Sequence, residues 1–400
     1  MDLSERIVVV GASLAGVRGI EALRNAGYAG EIVAVSVEKD MPYDRPPLSK
    51  QFLKGKLEES QISLRRKGFD DLAVEWRLGT RATKLNSGHK MIELSTGDTL
   101  EYGGLMIATG SAPRSLPAAE GLQGVHLLRS LEDARGLRSG LQKGGRLVVI
   151  GAGFIGMEVA ASAHELGLEV TVVEALSGPL LRGLGEKLGE TIGNRFRERG
   201  VVLRCGVGVD GFIGEGQVEG IQLADGTAIE ADHVLIGIGT IPVCDWLEDS
   251  GLELNRGILC DATGATNLPD VVAAGDVACW RDPRSEEHVR YEHWTSASEQ
   301  GVVAARRLLA GPSAVDDLVP LPYVWSDLFE LRLAMLGEPA SADEMHVCHG
   351  ELSSERFLAL MGKQGVFIGA VGLKRPRELN GCRKLLADRV SFEQAVREIG

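Results

Sequence analysis

Two glycine-rich turns of one kind, Gly11-Ala12-Ser13-Leu14-Ala15-Gly16 and Gly151-Ala152-Gly153-Phe154-Ile155-Gly156, stand 140 residues apart in a chain of 400. Each follows an unbroken aliphatic run and opens an apolar helix. Glycine in such a turn lets the backbone approach a pyrophosphate, whose charge then meets the unpaired N–H groups of the helix N-terminus. The pair therefore implies two dinucleotide sites, one able to bring a hydride and the other to receive it. Ile7 to Val10 and Ile32 to Val35 read as buried parallel strands joined by a helix beginning near Val17. Leu147 to Ile150, a helix carrying Met157, Val159, Ala160 and Ala163, and the strand Val170 to Glu174 repeat the unit.

An acidic side chain at the exit of the second strand accepts hydrogen bonds from a nucleotide ribose. Glu38 falls 22 residues after Gly16, and Glu174 falls 18 residues after Gly156. A carboxylate binds a ribose diol and repels a 2′-phosphate, so Glu174 predicts NADH over NADPH at the second turn. Val234 to Gly239 ends one further strand and Val271 to Asp276 reads as another. Beyond these, Phe357 to Met361 and Val366 to Val371 flank Gly362-Lys363-Gln364-Gly365, the pattern of an antiparallel hairpin. The fold class is α/β: two Rossmann-like dinucleotide-binding domains plus a small α+β C-terminal domain.

What the chain lacks narrows the chemistry. Its six cysteines, 205, 244, 260, 279, 348 and 382, form no CxxC or CxxxxC pair, so the thiol exchange of a flavoprotein disulfide reductase has no local motif. No HExxH and no GxSxG is present. His346-Val347-Cys348-His349 suggests a metal, but strand alternation sends His349 to the face opposite His346 and Cys348. A net charge of −13 argues against nucleic-acid binding. No run approaches the roughly 18 apolar residues of a membrane span. Met1-Asp2-Leu3-Ser4 leads into a strand without a basic segment, so a cytoplasmic protein is expected.

Pro42-Tyr43-Asp44-Arg45-Pro46-Pro47-Leu48-Ser49-Lys50, Ala108-Thr109-Gly110, Gly151 to Glu158, Ala274-Gly275-Asp276, Glu292-His293-Trp294 and Tyr323-Val324-Trp325-Ser326-Asp327 occur in that order. The chain in this respect resembles the FAD-dependent ferredoxin reductases of the putidaredoxin reductase type, over nearly its whole length. The resemblance implies FAD on the first turn and NADH on the second, with an FAD-binding domain of residues 1–112 and 245–318, an NADH-binding domain of 113–244 and a C-terminal domain of 319–400. It places Gly11, Ala15, Gly16, Glu38, Arg45, Lys50, Ala82, Arg129, Asp276 and Trp294 on FAD. Val37 lies where some relatives carry the acidic ribose partner. Gly151, Gly153, Ile155, Gly156, Glu158, Glu174, Arg182 and Gly239 fall on the NADH side. Lys50 and Glu158 match an ion pair near the flavin ring and the nicotinamide, and Trp325 matches an aromatic that reaches the flavin edge.

The implied activity is hydride transfer from NADH to FAD, followed by single-electron delivery to a two-iron two-sulfur ferredoxin that serves a cytochrome monooxygenase or a ring-hydroxylating dioxygenase. Alternatives are an NADH oxidase, a rubredoxin reductase, and a flavin-bound NADH sensor or scaffold. Within residues 374–384, Lys374, Arg375, Arg377, Arg383 and Lys384 outnumber Glu378, a basic island in an acidic chain. It reads either as a steering surface for an acidic ferredoxin or as a solvated helix face. Leu328-Phe329-Glu330 departs from the polar run usual in the family at this point.

Overall fold

Unbroken aliphatic strands need cover on both faces, which a parallel sheet between helices provides. The computed structural model, which describes residues 5–311 and 315–400, builds two such sheets. Residues 1–4, on which the reading of the N-terminus rests, lie outside the described residues. In the first sheet the strand order is Val271–Ala273, Gly104–Ile107, Ile7–Val10, Ile32–Val35 and Val74–Arg77, all parallel. Ile7, Val8 and Val9 at its centre are fully buried, each side chain contributing about 1.5–3 kcal/mol of burial free energy. The helix after the first turn spans Leu14–Asn25, starting earlier than Val17 because Ser13 takes the extended N-cap conformation. The helix Trp294–Ala310 packs against it.

The second sheet runs Val202–Cys205, Glu169–Glu174, Arg146–Ile150, His233–Ile236 and Val125–His126, again parallel throughout. Phe154–Glu165 is its glycine-turn helix. Leu131–Leu141 opens on a capping box in which Ser130 and Asp133 satisfy each other's backbone N–H groups.

The C-terminal segment forms an antiparallel five-stranded sheet in the order Tyr323–Leu328, Leu331–Gly337, Val366–Leu373, Phe357–Lys363 and Glu344–His349, with the helices Pro376–Ala387 and Phe392–Ile399 after it. Its expected hairpin turn is tighter than four residues. Lys363 pairs with Val366, and Gln364 and Gly365 take positive φ, +51° and +75°, as a two-residue turn requires. At the metal-like segment the expected strand alternation is broken. The register skips Cys348, so His346 and His349 pair with Leu360 and Leu358 and a bulge returns the two histidines to one face. Among the described residues no group of three His, Cys, Asp or Glu side chains stands together to hold an ion. No described helix is long and apolar enough to cross a membrane.

The chain divides into two compact units, Met1–Asp44 with Glu59–Ala112 and Thr240–Pro320, and Arg45–Glu58 with Pro113–Gly239 and Leu321–Gly400. The first unit resumes at Thr240 rather than at 245, and the C-terminal sheet belongs with the second nucleotide-binding fold. The segment 45–58, read as part of the first domain, belongs to the second unit and carries Lys50 with it.

Candidate functional site

The two turns have the same construction. Gly11 at φ +109° lies against the Ala108 carbonyl so closely that a Cβ would come within 2.1 Å of its oxygen; Gly151 at φ +104° has the same relation to the Gly237 carbonyl, at 2.3 Å. Each turn is thereby pressed onto the next strand of its sheet, which only glycine permits. Gly16 and Gly156 allow their helices to start directly over the turn, since a Cβ on either would meet the Gly11 or Gly151 carbonyl oxygen at 2.0 or 2.1 Å. Gly153, the N-cap of its helix, has open space where a Cβ would stand. A backbone bare of side chain at a helix N-terminus is what an approaching phosphate needs, so these residues fit a dinucleotide.

In the first unit Asp276 sits just past the strand Val271–Ala273 and accepts a hydrogen bond from Ser111 Oγ at 3.0 Å. A Cβ on the neighbouring Gly275 would stand 3.1 Å from Ala15 Cβ, which puts Asp276 at the mouth of the first turn. Glu38 lies beyond its strand and accepts from the Tyr43 hydroxyl. Val37 is 56% exposed. Trp294 Nε1 donates to Asp44 Oδ1 at 2.7 Å, tying the start of its helix to the Pro42-to-Lys50 motif. Ala82 is buried at the start of the strand Ala82–Asn86.

In the second unit the Glu174 carboxylate accepts the Ala152 N–H at 2.8 Å and the Leu176 N–H at 2.9 Å, so it is fixed at the rim of the turn. Ile155 shows an apolar side chain 42% exposed in the first turn of the helix. Arg182 is exposed on the short helix Leu181–Leu184, and Gly239 has φ +99° just beyond the strand end. Arg45 donates to the Arg129 carbonyl, and Arg129 N–H donates to Asp133 Oδ2 at 3.0 Å.

Lys50 and Glu158 form the expected ion pair, Nζ to Oε1 2.9 Å, with both side chains more than nine-tenths buried. Sequence reasoning missed the hydroxyls around it. Ser326 Oγ donates to Glu158 Oε1 at 2.6 Å, Ser49 Oγ to Oε2 at 2.5 Å, and Ser162 Oγ holds the Ser49 carbonyl at 2.7 Å. Burial pushes the Glu158 carboxyl above the usual carboxylate range, while the Lys50 ammonium and the Ser326 and Ser49 hydroxyls oppose that push. The visible signal for Ser326 was a serine in the middle of a strand whose same-face neighbours are Val324 and Leu328.

Trp325 points the other way from Ser326. Adjacent residues of a strand alternate faces, and Trp325, opposite Ala334, packs with Tyr323 against the core that includes Leu379 and Cys382. Its ring lies 5.9 Å from that of Tyr323, with the Arg332 guanidinium 5.8 Å away. The residue of this strand that meets Glu158 is Ser326.

All six cysteines are free, and burial raises every thiol, Cys244 to about 11 and Cys382 to about 12. The basic island is largely paired. Lys374 meets Glu355 at 3.1 Å, Arg375 meets Glu378 at 2.8 Å, Lys384 meets Asp388, and Arg383 lies 5.2 Å over the Tyr323 ring.

Residues 5–301 match the family described as pyridine nucleotide-disulphide oxidoreductase, and residues 323–397 match the reductase C-terminal family. A benzene 1,2-dioxygenase system ferredoxin–NAD(+) reductase subunit of Pseudomonas putida is 33% identical, covering 98% of this chain and 94% of its own length. A putidaredoxin reductase of the same organism is 34% identical over 98% of this chain and 94% of its own. Among solved structures, one from a covalent putidaredoxin reductase–putidaredoxin complex matches with a TM-score of 0.93 at 32% identity, covering 99% of this chain and 98% of that one.

Proposed function

This chain belongs to the pyridine nucleotide-disulphide oxidoreductases and, among them, to the ferredoxin–NAD(+) reductases, and on that footing we propose how its residues divide the work. Bound FAD would supply acceptance of a hydride from NADH and release of the two electrons singly, chemistry that suits a two-iron two-sulfur ferredoxin of a dioxygenase or cytochrome monooxygenase system. The single observation that carries the reading is the pair of equivalent glycine turns, each opening a helix N-terminus at the edge of a parallel sheet.

Gly11, Ala15, Gly16 and Asp276 hold FAD, the turn giving its N–H groups to the pyrophosphate and Asp276 accepting from ribityl hydroxyls. Glu38, Ala82 and Trp294, of the same unit, complete that site. Gly151, Gly153 and Gly156 take the NADH pyrophosphate, Glu174 its ribose, and Ile155 lends an apolar surface. Arg182 and Gly239 belong to the same side. Lys50 and Glu158 place a fixed charge pair in a dry environment, where charges act on a neighbouring ring more strongly than in water. Neither has to donate or accept the transferred hydrogen. With all six thiols held above their usual range, the chain works without the disulphide chemistry in its family's name. Trp325, on the opposite face of the strand from Ser326, serves the electron's exit. The cytoplasm, with its NADH pool, is the compartment this activity suits.

The test is anaerobic mixing of the flavin-loaded protein with NADH. The yellow absorbance bleaches, and Lys50→Met slows bleaching or weakens FAD retention because it removes a positive charge and strands a buried carboxylate. A parent protein that retains FAD but does not bleach contradicts the reading.

A further inference from the structure

Ser326 is fully buried on a sheet face where its neighbours Val324 and Leu328 and its cross-strand partner Leu333 are all apolar. A hydroxyl is costly in such surroundings unless it is bonded. Here it donates to a carboxylate 168 residues earlier in the sequence. Glu158 Oε1 thus receives the Lys50 ammonium at 2.9 Å and the Ser326 hydroxyl at 2.6 Å, while Ser49 occupies Oε2. Lys50 and Ser49 come from one short segment and Ser326 from another, so the carboxylate is gripped from two parts of the chain.

The strand that delivers Ser326 is pinned just beyond it. Leu328 pairs with Leu331, and the intervening turn puts Phe329 at φ +55°, a left-handed conformation unfavourable for a bulky residue. Packing holds it there. The Phe329 ring lies 4.8 Å from Phe196 and 5.9 Å from His164, the Arg199 guanidinium lies 5.0 Å over it, and Arg199 pairs with Glu330. His164 belongs to the same helix as Glu158. The departure from a polar run at Leu328-Phe329-Glu330 is therefore an anchor onto the helices of the second nucleotide fold.

We propose that Ser326 is a positioning residue for hydride transfer, its hydroxyl holding the Glu158 carboxylate turned toward Lys50, so that the C-terminal strand governs a group on the NADH-side helix. This rests on the NADH-to-FAD reading above. Among the described residues the groups facing Glu158 are Lys50 and Ser49 from the 45–58 segment and Ser326 from the strand, and Lys50 is the charged one among them. Loss of one of three donors in a dry site weakens the ionised form. A protonated Glu158 leaves the Lys50 charge uncompensated and frees the carboxyl to turn away.

The test compares Ser326→Ala, Ser326→Thr and Ser326→Cys holoenzymes with the parent. Stopped-flow flavin reduction by NADH across pH gives the rate, and an infrared titration of the protonated carboxyl band, assigned by its loss in Glu158→Gln, follows the carboxylate independently of activity. For Ser326→Ala we expect reduction at neutral pH to slow about tenfold with little change in NADH dissociation constant, and the Glu158 band to titrate at higher pH. Ser326→Thr, which keeps the hydroxyl, restores both to within about twofold. Ser326→Cys, a weaker donor of similar size, falls between them and stands in for alanine if that variant does not fold. A parent that fails to bleach overturns the underlying reading. A parent that bleaches beside alanine or cysteine variants with its rate and its band position overturns the role of Ser326, as does a loss of thermal stability alone.

Discussion

Glu174 and Ser36 occupy the same place in two copies of one turn. The Gly151 N–H donates to the Val173 carbonyl and the Gly11 N–H to the Val35 carbonyl, each at 2.8 Å, so the next residues, Glu174 and Ser36, correspond. The two turns therefore differ at the residue that follows those carbonyls, where the proposed function sets the NADH ribose against Glu174. At the second turn a carboxylate stands ready; at the first, Ser36 Oγ accepts the Glu38 N–H at 3.2 Å and the carboxylate lies two residues further on.

The cofactor preference follows from that difference. NADH should exceed NADPH in kcat/KM by at least about tenfold, near 1.4 kcal/mol. Glu174→Ala should narrow the gap, chiefly by weakening NADH binding, and it also frees the Ala152 and Leu176 N–H groups that the carboxylate now satisfies. Steady-state kinetics with both nucleotides check this; an unchanged ratio assigns the ribose to another residue.

Replacing all six cysteines should leave NADH-dependent flavin reduction within a few-fold of the parent. Alanine is the better choice at Cys260, Cys279 and Cys382, which are buried, because a serine hydroxyl there would need a partner. Rapid-scan spectroscopy of the folded, FAD-bound variant measures it, and loss of reduction with FAD retained identifies a redox thiol.

Acid should weaken the second nucleotide fold through two histidines. Burial, with His233 and Lys143 adding to it, lowers His126 to about 4, and burial lowers His233 as well. Their rings lie 5.9 Å apart. In the unfolded chain both take up protons near pH 6.5, in the folded one only at lower pH. Stability is thus fully present above 6.5 and falls as pH drops toward 4, with His126 alone accounting for about 2 kcal/mol between pH 7 and pH 5. Thermal unfolding at the two pH values, for the parent and for His126→Gln, should give a smaller drop in the variant.

Ion pairing changes what the basic island can do. Lys374 and Arg375 face Glu355 and Glu378 at close range, whereas Arg377 is exposed and none of the ion pairs found among the described residues includes it. Neutralising Lys374, Arg375 and Arg377 together also unmasks the two glutamates, so association with an acidic ferredoxin should slow about three- to tenfold at low salt and lose much of its salt dependence. Flavin reduction by NADH should stay near the parent rate. An unchanged association rate and salt slope would place docking elsewhere.

The nucleotide folds were legible because their signals are local. Aliphatic runs from Ile7 to Val10 and Ile32 to Val35 are strands with those bounds, and both glycine turns lead into helices. Lys50 and Glu158 were found through their motifs, though the segment that carries Lys50 to the second unit was not, since nothing in Arg45–Glu58 itself specifies which helix it will meet. The remaining misses share a cause. Ser326 acquires its meaning only from Glu158, the bulge at Cys348 only from pairing with Leu358 and Leu360, and the neutralised island only from Glu355. Such facts depend on long-range register, which side-chain alternation along one strand does not contain.

Electron delivery from NADH through the flavin to a ferredoxin is measured by NADH-driven cytochrome c reduction with and without an added acidic two-iron two-sulfur ferredoxin, run beside measurement of oxygen uptake. Flavin bleaching by NADH, slow electron escape without the carrier, and at least about a tenfold rise in cytochrome c reduction with ferredoxin present are expected. NADH consumption matched by oxygen uptake and indifferent to ferredoxin would contradict that delivery.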